Sequence, residues 1–473
     1  MNDRTRLLAC AAMVATSLAS PNVFAARGTA DFTRYVAIGD STSAGSQGAN
    51  PINLVATHQE WSFPAILARQ AGTPDFQQPL ISEPGILPEL TLQSLVPLRI
   101  APKSASSGVP LNLALPRPYN NLGIPGARVN DLLTLTGAEA HPNPFYAIVL
   151  RGIATTVQQA AVLQPTFVSI WIGNNDVLGG VTSGTPLAMT SLDDFTRDYN
   201  ILLDALVAAA PSAGMVAMGV PPVARLPFAN TIPPFIVDPS TSLPVLNPAD
   251  GSLIYYIAEL GDGTIGVLPP GSKINLTAQG FLATGYGIPG PLAPFFPPLP
   301  DIGKPLPGAV VLDAAEFAII EQRQKDFNAV IASATSARDI PMIAVDPIFE
   351  RFENGVNYAG LELDLSFVTG GIVSLDGVHP TSVGYLLVAN EFIKKINQAY
   401  TTTIPLASLT SFLNDAPEGS SRASFLLIPS WMKLNLTEVP WTDFTGPQIP
   451  ETESEPETKA PIRRGVRRSG GGH

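Results

Sequence analysis

Cysteine is almost absent from this chain: Cys10 is the single one among 473 residues. One cysteine closes no internal disulfide and holds no cysteine-ligated zinc, so stability must come from burying apolar groups. Charge is scarce too. Lys, Arg, Asp and Glu make up 14% of the residues, against roughly 25% in ordinary globular domains. The balance is acidic, with a formal net charge of −12 at pH 7. That composition lacks the concentrated basic face that phosphate binding requires and argues against nucleic acid as a partner. No run reaches the ~18 uninterrupted apolar residues of a membrane-spanning helix. Histidine occurs only at His58, His141, His379 and His473, which narrows any search for an acid–base group.

What is present is a large apolar fraction, 45% of residues, enough for a sizeable core. Proline is also abundant, with 47 residues, about twice its usual share, which points to long ordered loops. Arg4 and Arg6 precede an apolar stretch from Leu7 to Leu18 and then SPNVFAA, with Val23 and Ala25 at the small-residue positions. This is the three-part form of a secretory leader, residues 1–25, and predicts an exported protein, extracellular, periplasmic or at the cell surface. LLAC at 7–10 sits too early to serve as a lipoprotein cleavage box. Cleavage after Ala25 would remove Asp3, Arg4, Arg6 and Cys10 and leave a charge of 25 − 38 = −13.

YVAI (35–38), FVSIWI (167–172), MVAMGV (215–220) and PMIAV (341–345) read as fully buried strands. Helical patterns lie between and after them, at 63–72, 193–210, 314–335 and 382–400. In the last, Leu386, Ala389, Ile393 and Ile396 share one face. Continuous apolar strands alternating with amphipathic helices predict an α/β fold with a parallel sheet covered on both sides. Two Pro-rich stretches, 74–120 and 221–310, break the alternation and are expected to be ordered insertions over one end of the sheet; the second carries hairpin signals around DGSLIYYIAELGDGTIGVL. The tail at 441–473, acidic and then basic, is expected to be disordered. One decorated domain over 26–440 is predicted, because the candidate site draws on residues from 39 to 379.

Four segments carry polar residues in patterns that chemistry uses. GDSTSAG (39–45) follows the first buried run, and its serines either fill an ordinary turn or hold up a nucleophile. NLGIPGARV (121–129) contains Gly123 and Gly126, which form a plain loop or bring a backbone N–H close to a ligand. WIGNNDVLGG (171–180) places Asn174 and Asn175 at the carboxyl end of a predicted strand, where ligands of open α/β sheets bind; the alternative is an Asx turn. SLDGVHPTSVGY (374–385) sets Asp376 three residues before His379. On a tight turn the carboxylate would accept the Nδ1–H and leave Nε2 free as a base. Thr381 or Ser382 is placed to cap the following helix.

GDS near the start, N-x-G-x-x-G, G-x-N-D and a late D-x-x-H-P, each once and in this order, resemble the GDSL lipase/esterase family, the SGNH hydrolases, over residues 33–400. The resemblance implies a three-layer α/β/α sandwich around a mostly parallel sheet of about five strands. It also implies roles: Ser41 as nucleophile, Asp376 and His379 as the acid–base pair, and the Ser41 N–H, Gly126 and Asn175 as the oxyanion hole. Thr42 replaces the family's fourth letter. G-x-N-D selects Asn175 over Asn174, and the IPGA context selects Gly126 over Gly123. Residue 43 is Ser, so this is not the G-x-S-x-G elbow of α/β-hydrolases. The expected activity is that of a secreted serine ester hydrolase on lipid or other acyl esters, without metal or other cofactor. Contact with lipid surfaces would be peripheral, and no protein partner is specified. A carbohydrate O-acetylesterase or acyltransferase on the same serine is the alternative, and a binding protein with a dead site the rival of another class.

Overall fold

Along three successive strands the side chains alternate between two separate apolar cores. β1 (Tyr35–Gly39) sends Val36 and Ile38 to one side and Tyr35 and Ala37 to the other. β3 (Phe167–Trp171) and β4 (Gly214–Met218) divide their residues in the same way. A sheet buried on both faces needs apolar residues at every position, which is why these strands read as unbroken hydrophobic runs. With β2 (Asn121–Gly123) and β5 (Met342–Ile343) they form one five-stranded sheet, in the order β5-β4-β3-β1-β2. Every pairing in it is parallel.

The computed structural model describes residues 30–48, 56–95, 98–238, 243–247, 249–358 and 360–410. The expected leader with Cys10 and the charged tail with His473 lie outside them. Among the described residues no helix is long and apolar enough to cross a membrane.

Helices cover both faces. Against one core lie α1 (Ser41–Ala44), α3 (Thr156–Leu163), α4 (Asn174–Thr182), α5 (Leu192–Ala209) and α6 (Ala314–Ser336). α5 buries Phe195, Tyr199, Leu202 and Leu206 at helical spacing, and Phe195 stacks on Phe327 of α6 with centroids 3.8 Å apart. The opposite core is closed by α2 (Phe63–Ala71) and α7 (Ser382–Tyr400), where Phe63 stacks on Phe392 at 4.5 Å. The three-layer α/β/α sandwich follows directly. Thr381, rather than Ser382, caps α7 through its hydroxyl to the Gly384 N–H, 3.0 Å.

The insertions fold onto the core that holds α5 and α6. Leu90–Leu95 pairs with Leu98–Pro102, and Ile257–Glu259 with Ile265–Val267, both antiparallel. Ile81, Ile100, Ile236, Tyr256 and Leu268 are buried in that core. Strand β2 lies where the sequence predicts a loop, because three residues are too few to show a period. WIGNND also differs from expectation. The strand ends at Trp171, and Asn174 and Asn175 open helix α4 after Gly173, whose φ of 115° is left-handed.

Candidate active site

Read from one edge, the strand order is 2-1-3-4-5, and its direction of travel reverses beside β1. Crevices outside the carboxyl ends of strands at such a point are where open α/β sheets bind ligands. Ser41 follows β1, Gly126 follows β2 and Asn175 follows β3, so three neighbouring strands deliver them to the same edge.

The turn after β1 is tight because two glycines permit it. A Cβ on Gly39 would lie 2.1 Å from Ser43 Oγ and 2.4 Å from the Trp171 carbonyl oxygen; one on Gly123 would lie 2.5 Å from the Ala44 nitrogen. Asp40 caps the one-turn helix α1, accepting from the Thr42 N–H at 2.9 Å and the Thr42 hydroxyl at 2.8 Å. Asn121 ties the neighbouring strand to it, donating to the Ser43 carbonyl at 2.8 Å. Ser43 and Ser46 are fully buried, whereas Ser41 retains 6% exposure. As the first residue of α1, Ser41 has an N–H with no acceptor among the described residues. The same holds for the Gly126 N–H, on a residue with φ of 81°.

His379 and Asp376 are paired. Nδ1 of His379 lies 2.8 Å from Asp376 Oδ2. Asp376 Oδ1 accepts the Val378 N–H at 2.8 Å, the His379 N–H at 2.9 Å and the Ser374 hydroxyl at 3.0 Å. Burial alone would raise the Asp376 carboxyl, but the His379 charge and these hydrogen bonds outweigh it and hold it below the usual range. Burial would likewise lower His379, yet the charge and hydrogen bond of Asp376, helped by Asp40, leave its imidazole above its ordinary value. Nε2 of His379 and Oγ of Ser41 are left without hydrogen bonds among the described residues.

Three contacts stitch the segment after α1 to the loop that carries Asp376 and His379 and to the first turn of α7 behind it. The Gly48 N–H donates to Ser374 Oγ at 2.9 Å, the Gln47 amide to Ser382 Oγ at 3.1 Å, and the Tyr385 hydroxyl to the Ser46 carbonyl at 2.7 Å. Residues more than three hundred positions apart in the chain are thereby fixed side by side. The second insertion backs the same loop, with the Phe228 N–H donating to the Gly377 carbonyl at 2.9 Å.

The two asparagines part company on the first turn of α4. Asn174 is buried toward the turn that carries Ser41, its amide 3.4 Å from Thr42 Oγ1. Asn175 reaches the other way and donates to the Ala127 carbonyl, beside Gly126. Asp176, the last residue of G-x-N-D, pins the two loops together. It accepts the Val129 N–H at 3.1 Å and the Thr190 hydroxyl at 2.7 Å. Burial pushes its carboxyl up to about 7, these hydrogen bonds opposing; burial likewise lifts Asp40 to about 6.

The remaining described histidines are elsewhere. His58 is buried against Glu89, not the nearby Glu60, and Lys103 holds the other Glu89 oxygen at 3.3 Å. His141 is exposed and packs edge-on against Tyr146. Among the described residues no cluster of three or more His, Cys, Asp or Glu side chains is placed to hold a metal ion. The sequence pointed to Asp376 and His379 but not to Ser374, Asn121 or Asp176 as supports; a serine two residues before an acid and the first Asn of N-x-G-x-x-G were the available signals.

A model of the GDSL-like lipase/acylhydrolase family matches residues 35–392. Among solved structures, the extracellular lipase of Streptomyces rimosus is similar at 16% identity, covering 77% of this chain and 98% of that one, with a TM-score of 0.31. A catalytic mutant of an acetylxylan esterase from Geobacillus stearothermophilus is similar at 13% identity over 78% and 95% of the two chains, TM-score 0.33. A GDSL-like lipase from Parabacteroides merdae is similar at 14% identity over 78% and 99%, TM-score 0.32. A comparison with curated proteins finds no match.

Proposed function

The chain belongs to the GDSL-like lipase/acylhydrolase family, and on that premise we propose that it is a secreted serine ester hydrolase working through an acyl-Ser41 intermediate. The observation that carries the reading is the buried His379–Asp376 pair, stitched to the segment that bears Ser41. His379 Nε2 takes the hydroxyl proton as Ser41 Oγ bonds to the ester carbonyl carbon. Asp376 holds the Nδ1–H, fixes the tautomer and stabilises the imidazolium that forms. The carbonyl oxygen becomes an oxyanion, met by the N–H groups of Ser41 and Gly126 and by the Asn175 amide. Collapse expels the alkoxide, which takes the proton back from His379. Water activated by the same imidazole then frees the acid.

Lipid or other acyl esters are the proposed substrates, and the leader pattern at 1–25 supports export. Two experiments test the reading. A fluorophosphonate probe should label the wild type on Ser41 and should not label Ser41→Ala, while Ser43→Ala and Ser46→Ala remain reactive. A series of p-nitrophenyl esters from acetate to palmitate should be hydrolysed by the wild type, and activity should survive dialysis against EDTA. An adduct mapped to Ser43, or activity lost to EDTA and restored by zinc, would overturn the assignment.

A further inference from the structure

The N–H of Gly126 belongs to the same peptide unit as the carbonyl of Pro125. In a trans peptide these two groups point in opposite directions, so whatever fixes the oxygen also aims the hydrogen. The Pro125–Gly126 bond is trans. Its carbonyl oxygen accepts a hydrogen bond from the side-chain amide of Asn143, 2.6 Å away. The orientation of that amide is settled by its other end, since Asn143 Oδ1 accepts the Phe145 N–H at 3.0 Å. Nδ2 must therefore be the atom facing Pro125. The Asn143 N–H is in turn held by His141 Nδ1 at 3.1 Å.

We propose that Asn143 is a positioning residue of the oxyanion hole: by holding the Pro125 carbonyl it turns the Gly126 N–H toward the ester oxygen. The inference rests on the serine-hydrolase reading above. Asn175 secures the Ala127 carbonyl, two peptides further along, and between them the Ala127 N–H donates to the Ile124 carbonyl at 3.0 Å. The backbone is thus held before and after Gly126, at its outer ends by amide side chains from two different segments. The need for a clamp follows from the residue itself. Glycine explores positive and negative φ with little preference, and a peptide beside it flips easily unless something holds it. Asn143 lies outside all four motifs, seventeen residues beyond Gly126.

Asn143→Asp tests this directly. The new side chain has the same shape and still accepts the Phe145 N–H, but presents an oxygen to the Pro125 carbonyl where a donor stood. With the folded state retained by circular dichroism, kcat on a p-nitrophenyl ester at alkaline pH should fall about 10- to 100-fold, less than the roughly 10²–10³ of removing a donor outright, with KM unchanged. Affinity for a boronic acid, which mimics the tetrahedral state, should fall in parallel. Once protonated, the new carboxyl can donate again, so the ratio of variant to wild-type activity should climb as pH is lowered toward the carboxyl range, a change that a turn-keeping role alone would not produce. Asn143→Ser, which keeps an acceptor for Phe145 but falls short of Pro125, should lose kcat at every pH. If Asn143→Asp matches wild type at alkaline pH, or loses activity by a factor independent of pH, the inference is wrong while the hydrolase reading stands. If the wild type neither hydrolyses esters nor takes the fluorophosphonate, both fall together.

Discussion

The side-chain amide of Asn175 donates to the carbonyl oxygen of Ala127 over 2.9 Å, and so stands beside Gly126. Asn174, its neighbour in the chain, turns its amide toward Thr42. One of the two hydrogens on Asn175 Nδ2 is spent on Ala127, and the second is the one proposed to meet the oxyanion. Substituting Asn175 with Ala should therefore lower kcat by roughly 10²–10³ with little change in KM, because that bond forms chiefly in the transition state. Asn174→Ala should cost much less in kcat. Steady-state kinetics on both variants, with folding compared by circular dichroism, decides between them; a larger kcat loss in Asn174→Ala would reverse the assignment.

As the proposed base, His379 with its raised imidazole should set the acid limb of activity. As a base it works only when neutral, so half-maximal kcat/KM on that limb should lie above 6.5, the ordinary histidine value. Asp376→Asn removes the principal group that holds the imidazole up. The limb should then move to lower pH while kcat drops by several orders of magnitude, since the ring also loses its tautomer control. A pH–rate profile of the two proteins is the measurement. An unmoved limb would mean that another group sets it.

Gly39 leaves no room for a methyl group. Its Cβ would collide with Ser43 on one side and the Trp171 carbonyl on the other, and the backbone oxygen of a central strand cannot swing away. Gly39→Ala should cost about 2 kcal/mol of stability through overpacking, and should displace the turn that carries Ser41 as well. Chemical denaturation measures the first effect and fluorophosphonate labelling rate the second. A variant with wild-type stability would mean that the sheet yields more easily than its packing implies.

Stability should fall as pH rises from mildly acid to neutral. Burial raises the carboxyls of Asp40 to about 6 and Asp176 to about 7 from 3.8. The native state therefore binds protons that the unfolded chain has already released, and stability drops across the interval from about 4 to 7. His379 acts in the same direction. Its raised value makes a contribution that is complete below 6.5 and disappears as pH climbs through the folded value. Asp376 works the opposite way, being lowered, and its share is lost only as pH falls below 3.8. Denaturant midpoints taken across this range should be highest near the acid end of the interval, and Asp176→Asn should flatten the slope. A midpoint that rises steadily toward pH 8 would contradict this.

The strands at 35–39, 167–171 and 214–218 and the four long helices were legible in the amino-acid order because their signals are local. Unbroken apolar runs and 3.6-residue periodicity need no knowledge of the rest of the chain. The same is true of Asp376 and His379, three residues apart on one turn, which meet without help from elsewhere. Other features came only with the tertiary structure. β2 is three residues long, and only the edge of β1 makes it a strand. His58 lies two residues from Glu60 yet pairs with Glu89, thirty-one positions away. The division of labour between Asn174 and Asn175 depends on which loop each faces once α4 has started. The Pro125 carbonyl beside Gly126 is held by Asn143, a residue with no motif around it. Periodicity and turn chemistry act over a few residues, while the direction of a hydrogen bond is set by whatever the fold packs against it.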